Sequence, residues 1–144
     1  MIGCTFFGHK DAPYEIADKL RLALIDLIEN KKVDTFYVGN HGNFDRMVYQ
    51  TLYLLKQRYP HICYTVVLAY HPSVQSLCYF DYKTESLLPD GIEQAPPRFA
   101  ISKRNCWMID HATFVLAYVK AAGGAKKYKE LAERKGRIVI NLAD

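Results

Sequence analysis

The sequence repeats one unit: a short apolar run, a turn that usually carries glycine, and then a segment with apolar residues three or four positions apart. The first such run, Ile2 to Phe7, stops at Gly8 and is typical of a buried strand. Strands that alternate with helices generally pair in parallel, and the helices then cover both faces of the sheet. The alternation therefore predicts an α/β fold.

The same pattern places secondary structure along the chain. Pro13 suits the first turn of a helix, Asn43 is predicted to cap the second helix, and Gly136 is predicted to end the last. Strands are predicted at 2–7, 35–38, 64–69, 113–119 and 138–142. The apolar helix stripes are Ile16, Leu20, Ala23, Leu24, Leu27 and Ile28, then Phe44, Met47, Val48, Leu52 and Leu55, and then Tyr128, Leu131 and Ala132, with another helix over 101–112. Together they predict a single domain over 1–144, a Rossmann-like three-layer fold with a mostly parallel five-stranded sheet.

The segment over 70–97 breaks this regularity. It contains Pro72, the turn Pro89-Asp90-Gly91 and the pair Pro96-Pro97, and its apolar residues show little periodicity. Because it is longer than most connections in a compact domain, we interpret it as either a lid or an additional element.

Composition removes several classes of protein. Half of the residues are hydrophobic and 24% are charged, which excludes a disordered, collagen-like or disulfide-scaffold chain. No apolar run approaches the roughly 20 residues that cross a bilayer, and His9-Lys10-Asp11 interrupts the stretch that a signal peptide would continue. The four cysteines form no C-x-x-C pair. We expect a cytoplasmic protein without a membrane partner.

Polar and glycine residues gather where the predicted strands end. The turns are Gly8-His9-Lys10-Asp11, the stretch from Gly39 to Asp45, Tyr70-His71, and Gly123-Gly124. In an open parallel sheet these turns meet at one edge, and helix N-termini at that edge attract phosphate. The predicted ligand-binding residues are Gly8, His9, Lys10, Gly39, Asn40, Gly42, Asp45, Tyr70, Arg104, Asn105, Gly123, Gly124, Lys126 and Lys127. The G-x-G-x-x-G and P-loop motifs are both absent, so no cofactor is predicted.

Two spaced motifs carry a resemblance to a known family. Arg104-Asn105-x-x-Met108, a strand, and then Gly123-Gly124 followed by Glu130 resemble R-K-x-x-M and G-G-x-G-T-x-x-E of the Lonely Guy phosphoribohydrolases. With the strand endings TFFGHKDAP and FYVGNHGNFD, nearly the whole chain resembles an uncharacterised bacterial branch of the wider SLOG superfamily. The resemblance implies a Rossmann-like fold and a homodimer.

The resemblance also implies a site. In the hydrolases the matching Arg and Glu serve cleavage of the N-glycosidic bond of a nucleoside 5′-monophosphate, which makes Arg104 and Glu130 the catalytic candidates. Lys126 and Lys127 stand in the region of the family's G-T, and Asn105 replaces its Lys. We therefore predict first a sensor or accessory domain that binds a nucleotide or phosphoribosyl ligand, and second a phosphoribohydrolase.

Other interpretations stay open for individual residues. Glu130 is also spaced for a surface ladder with Lys126 and Arg134, and Asp45 for a first-turn acid that complements the helix dipole. His9, His41 and His71 follow three strands and so suit a metal, but strand-end histidines are more often turn residues or substrate contacts, and we predict no metal. The basic stretch over 120–137 raises single-stranded nucleic acid as a third alternative, since the DNA-processing protein DprA belongs to the same superfamily. Its single aromatic residue disfavours this partner.

Overall fold

The computed structural model describes residues 1–70, 86–94 and 96–144, and it is an α/β structure built on one parallel sheet. Six strands lie in the order β4-β3-β2-β1-β5-β6, and every neighbouring pair is parallel. The strands are β1 (Gly3–Gly8), β2 (Thr35–Val38), β3 (Cys63–Val67), β4 (Ser86–Leu87), β5 (Phe114–Tyr118) and β6 (Ile138–Asn141). The predicted fold class is confirmed, with six strands instead of five.

In the part of the chain that the structure describes, four α-helices lie between these strands. They are α1 (Ala17–Glu29), α2 (Gly42–Arg58), α3 (Pro97–Asp110) and α4 (Gly124–Arg134), and short 3-10 turns occupy Tyr14–Ile16 and Ile92–Gln94. Among the helices that the structure describes, none combines the length and the apolar character needed to cross a bilayer.

The helices form a layer on each side of the sheet, as the alternation of side chains along β1 illustrates. Cys4 and Phe6 belong to a core cluster with residues of α1 and α2, such as Leu24 and Val48. Phe7 belongs to a second cluster, which contains buried residues of α3 and α4. Because successive side chains of a strand point to opposite faces, one strand serves both cores. The result is the predicted three-layer arrangement.

The strand that the sequence did not predict lies inside the irregular segment. β4 extends the sheet by pairing Ser86 with Val66 and Leu87 with Val67. Two residues are too few to produce an alternating pattern, so periodicity cannot reveal such a strand. The rest of the predicted lid or insertion falls mostly on 71–85, which lies outside the described residues.

Two helix starts also differ from the prediction. The prediction of Asn43 as the cap of α2 was wrong: the cap position is His41, and the Asn43 N–H donates to the Lys10 carbonyl over 2.8 Å. Gly42 has φ +85°, a left-handed conformation that glycine tolerates best. α3 begins at Pro97 rather than near 101, in keeping with the preference for proline in the first turn.

Candidate functional site

The cavity at the carboxyl edge of the sheet lies at the switch point of the topology. From β1 the chain builds outward through β2 and β3 on one side, and it later returns to place β5 on the other side of β1. Such a reversal opens a crevice outside the strand ends, and ligands of open α/β sheets bind there. This cavity has a volume of about 500 Å³, within the range of small-molecule sites. Its lining comprises Phe6, Phe7, Gly8, His9, Lys10, Asp11, His41, Asp45, Ile101, Arg104, Asn105, Met108, Ala122, Gly123, Gly124, Ala125 and Tyr128.

The structure brings together part of the set that the sequence singled out. Gly8, His9, Lys10, Asp45, Arg104, Asn105, Gly123 and Gly124 all line the cavity. Gly39 and Asn40 are not part of the lining but adjoin it: Asn40 accepts a hydrogen bond from Arg104, and a Cβ added to Gly39 would meet Asp45. Gly42 packs against Lys10, and Tyr70 interacts electrostatically with Arg104. Lys126, Lys127 and Glu130 are not part of the lining.

Arg104 is the buried cation of the site. Its side chain is 3% exposed and projects from α3 across the sheet edge. Nε donates to Asn105 Oδ1 over 2.7 Å, and Nη1 donates to Asn40 Oδ1 over 3.0 Å and to the Val67 carbonyl over 3.2 Å. These bonds fix the plane of the guanidinium. Burial lowers the pKa of Arg104, and the nearby Asp45 opposes that shift.

Asp45 is the buried anion of the site and lies in the first turn of α2. Its Oδ2 accepts a hydrogen bond from the His41 N–H over 3.1 Å. Burial raises the pKa of Asp45 to about 6, against the lowering effects of Arg104 and of the His41 amide. Burial and the charge of Arg104 lower the pKa of His41. A carboxylate in such surroundings is the kind of group that occurs at binding and catalytic sites.

His9 connects the two loops that flank the cavity. Its Nε2 accepts hydrogen bonds from the N–H groups of Lys120, over 2.9 Å, and Ala121, over 3.3 Å. A nitrogen that accepts these hydrogen bonds carries no proton itself, so Nε2 acts here as an acceptor. The imidazole also meets the Tyr118 ring edge-on. His9 thereby holds the loop before α4 against the end of β1.

The N-terminus of α4 opens into the cavity. Gly123, with φ +148°, precedes the helix, and the Lys127 N–H is the first that bonds back to the Gly123 carbonyl. The amides of Gly124, Ala125 and Lys126 precede that bond, and such amides carry the positive end of the helix dipole. A Cβ placed on Gly123 or Gly124 would meet nothing within 4 Å. This side of the cavity is open to an anion.

The apolar floor of the cavity is the part that sequence reasoning missed. Phe7 and Tyr128 stack with their ring centroids 5.6 Å apart, and Met108 and Ile101 continue the surface. Their spacing in the sequence is that of core residues, and most of them do belong to the core. No local signal therefore distinguishes residues that line the cavity from residues that only pack in the core. Phe6 and Phe7 end the predicted strand 2–7, and their position at that strand end was the signal that could have identified them.

The remaining candidates lie apart from this cavity. Glu130 is exposed and follows the cavity-lining Tyr128 by two positions, which on a helix turns its side chain away. The alternative interpretation, a ladder of Glu130 with Lys126 and Arg134, is not found among the ion pairs of the described residues, where Lys129 of α4 pairs with Glu133. Within residues 1–70, 86–94 and 96–144, no three His, Cys, Asp or Glu side chains are grouped to hold a metal. His71 lies outside those residues.

Fold and cavity define an α/β protein with a crevice at the switch point of a parallel sheet. Comparisons with models of known protein families and with curated proteins found no match. A functional interpretation therefore depends on the geometry of the cavity and on the motif resemblance.

Proposed function

We propose that this protein binds a nucleotide or a nucleotide-derived phosphoribosyl compound in the cavity at the carboxyl edge of its sheet. The observation that carries the proposal is the pairing, in one cavity of about 500 Å³, of an open helix N-terminus with the cationic side chain of Lys10. Both features favour a ligand with negative charge.

The phosphate end of the ligand belongs at α4. Glycines at 123 and 124 leave room for close approach to the backbone, and the first amides of the helix supply hydrogen-bond donors. Lys10, which lines the same cavity, adds a positive charge from the β1 side. Donors and charge are thus arranged around one anion position.

The base and the sugar belong deeper in the crevice. Phe7, Tyr128, Met108 and Ile101 offer an apolar surface against which a planar ring can pack. Asp45 and Asn105 supply the polar groups that small-molecule sites use for orientation. A ligand that combines an aromatic base, hydroxyl groups and phosphate matches each part of this lining.

Binding is a better match than hydrolysis. The resemblance assigns Arg104 and Glu130 to bond cleavage, and Arg104 lines the cavity whereas Glu130 does not. We therefore propose a sensor or accessory domain, and we expect purified protein to release no adenine from AMP. Release of adenine by the wild type and its loss in Glu130→Ala would instead establish the hydrolase.

Native mass spectrometry of freshly purified protein tests the proposal directly. We expect a retained small molecule, or, after its removal, binding of AMP or ribose 5-phosphate by calorimetry. The same spectrum counts subunits, so it also tests the homodimer that the resemblance implies.

A charge-matched pair of variants locates the site. Lys10→Ala removes a cation from the cavity lining, and Lys31→Ala removes an exposed cation just after the C-terminal end of α1. We expect only Lys10→Ala to weaken binding, by about tenfold. The proposal fails if no nucleoside monophosphate or ribose 5-phosphate binds, or if both variants weaken binding equally.

A further inference from the structure

Asp45 is a buried carboxylate that still faces the cavity. Its residue is 9% exposed, and it contributes to the cavity lining. One of its oxygens, Oδ2, accepts the hydrogen bond from the His41 amide. An ionised carboxylate has about four acceptor positions, so this single bond leaves most of its capacity unused.

The neighbouring arginine does not use that capacity. Arg104 directs its hydrogen bonds to Asn105, Asn40 and the Val67 carbonyl. Within the described part of the chain, Asp45 forms no ion pair with a basic side chain. Arg104 nevertheless acts on Asp45 through its charge. The carboxylate is therefore balanced electrostatically but incompletely hydrogen-bonded.

Gly39 makes this arrangement fit. A Cβ at position 39 would lie 2.6 Å from Asp45 Oδ2 and 3.3 Å from Arg104 Nη1. Any side chain there would push the carboxylate or the guanidinium away from its present position. The close approach of the two charges at the cavity wall thus requires glycine at the end of β2.

Charge decides which ligand group suits Asp45. A phosphate beside the carboxylate would be repelled, and a cationic group would meet the charge of Arg104. A neutral hydrogen-bond donor avoids both costs, and hydroxyl groups donate well to a carboxylate. The unused acceptor positions of one carboxylate can serve two hydroxyls on adjacent carbons.

We propose that Asp45 accepts hydrogen bonds from the vicinal hydroxyls of a ribose and makes this site selective for ribonucleotides over their deoxy forms. The inference rests on the proposed function, because it assigns the sugar end of the same ligand. It also fixes the ligand's orientation, with the phosphate at α4 and the sugar hydroxyls against the start of α2.

Dissociation constants of AMP, 2′-deoxy-AMP and 2′,3′-dideoxy-AMP test the selectivity in the wild-type protein. Loss of a hydrogen bond to a charged group weakens binding by about tenfold or more. We expect the constants to rise from AMP to 2′-deoxy-AMP to 2′,3′-dideoxy-AMP. Equal constants for the three compounds would overturn the role of Asp45 and leave the proposed function standing.

Variants then assign the selectivity to one residue. In Asp45→Ala we expect AMP to bind about as weakly as 2′,3′-dideoxy-AMP, so that their dissociation constants differ by no more than about twofold. Asp45→Asn is a second variant, which keeps the shape of the side chain. Asp18→Asn is the matched control, because Asp18 is an exposed carboxylate on α1 that does not line the cavity. It should keep the wild-type ratio. If Asp45→Ala keeps the wild-type ratio of the two dissociation constants as well, the assignment to Asp45 is wrong. If the wild-type protein binds none of the three compounds, both proposals are wrong.

Discussion

The two walls of the cavity both carry glycines, but for opposite reasons. On the packed wall, formed by the ends of β1 and β2, a Cβ on Gly8 would lie 2.2 Å from the Phe44 ring, and one on Gly39 would lie 2.6 Å from Asp45. On the open wall, formed by Gly123 and Gly124, a Cβ would meet nothing within 4 Å. The chain itself fills the space beside the first pair of glycines. No described residue fills the space beside the second pair, where we propose that the ligand binds.

This contrast separates residues that build the site from residues that leave room in it. Changes on the packed wall should reduce stability, whereas changes on the open wall should reduce affinity and leave stability intact. Both measurements on each variant therefore test the distinction.

The largest effect is expected for Gly8→Ala. The added methyl group collides with Phe44, which is fully buried, so the ring or the strand must shift. Overpacking of this kind costs about 3 kcal/mol in the free energy of unfolding. Urea unfolding measures this loss of stability. An unchanged urea midpoint would show that Gly8 is not tightly packed against Phe44.

The next effect concerns the charge on the packed wall. Burial raises the pKa of Asp45 to about 6, from an ordinary value of 3.8 in the unfolded chain. The native state therefore holds this proton more tightly, and the contribution of Asp45 to stability decreases as the pH rises from about 4 to above 6. At pH 8 its ionised form costs about 2–3 kcal/mol.

Asp45→Asn should accordingly be more stable than the wild type at pH 8 by about 2 kcal/mol and no more stable at pH 4. Denaturant unfolding at both pH values gives the difference. A constant difference for Asp45→Asn across this pH range would contradict the raised pKa.

Gly124→Ala is the complementary change on the open wall. Its methyl group projects into the cavity at the first residue of α4, where we expect AMP to bind about tenfold more weakly. Alanine also favours the helix over glycine by up to about 1 kcal/mol, so stability should not fall. Calorimetry measures the affinity for AMP, and thermal unfolding measures the stability. If Gly124→Ala binds AMP with wild-type affinity, α4 does not contribute to the binding site.

The smallest effect is expected for Lys126→Ala and Lys127→Ala. Both side chains are exposed and lie outside the cavity lining, and Lys127 rests over the Tyr128 ring. Each change should alter affinity for AMP by less than about threefold, since exposed charges are screened by solvent and salt. A tenfold loss of affinity for AMP would show that the binding site includes the exposed surface of α4.

Most of the fold was predictable because its signals are local. The apolar stripes of α1 and α2 and the glycine that follows α4 appear directly in the sequence, and the rule for parallel sheets then places the site at one edge. A two-residue strand such as β4 is too short to show an alternating pattern, so it could not be predicted. The start of α3 was also hidden, because its segment combines prolines with weak amphipathicity.

The interior of the site was less predictable than its edge. The glycine turns, with His9 and Lys10, indicate the loops of the site directly in the sequence. Nothing in the sequence indicates that Asp45 and Arg104 are neighbours, because they belong to different helices on opposite faces of the sheet. Their proximity depends on the strand order and on the absence of a side chain at Gly39. Such contacts follow from the assembled fold rather than from spacing along the chain.

The position of β1 has a consequence for how the molecule is made. β1 lies between β2 and β5, and its Gly8 pairs with Tyr118, so β1 completes its pairing only after the chain has been synthesised as far as Tyr118. Contacts between distant parts of a chain form slowly. Until β5 is synthesised, one edge of β1 has no strand to pair with and the crevice between the two halves of the sheet does not exist.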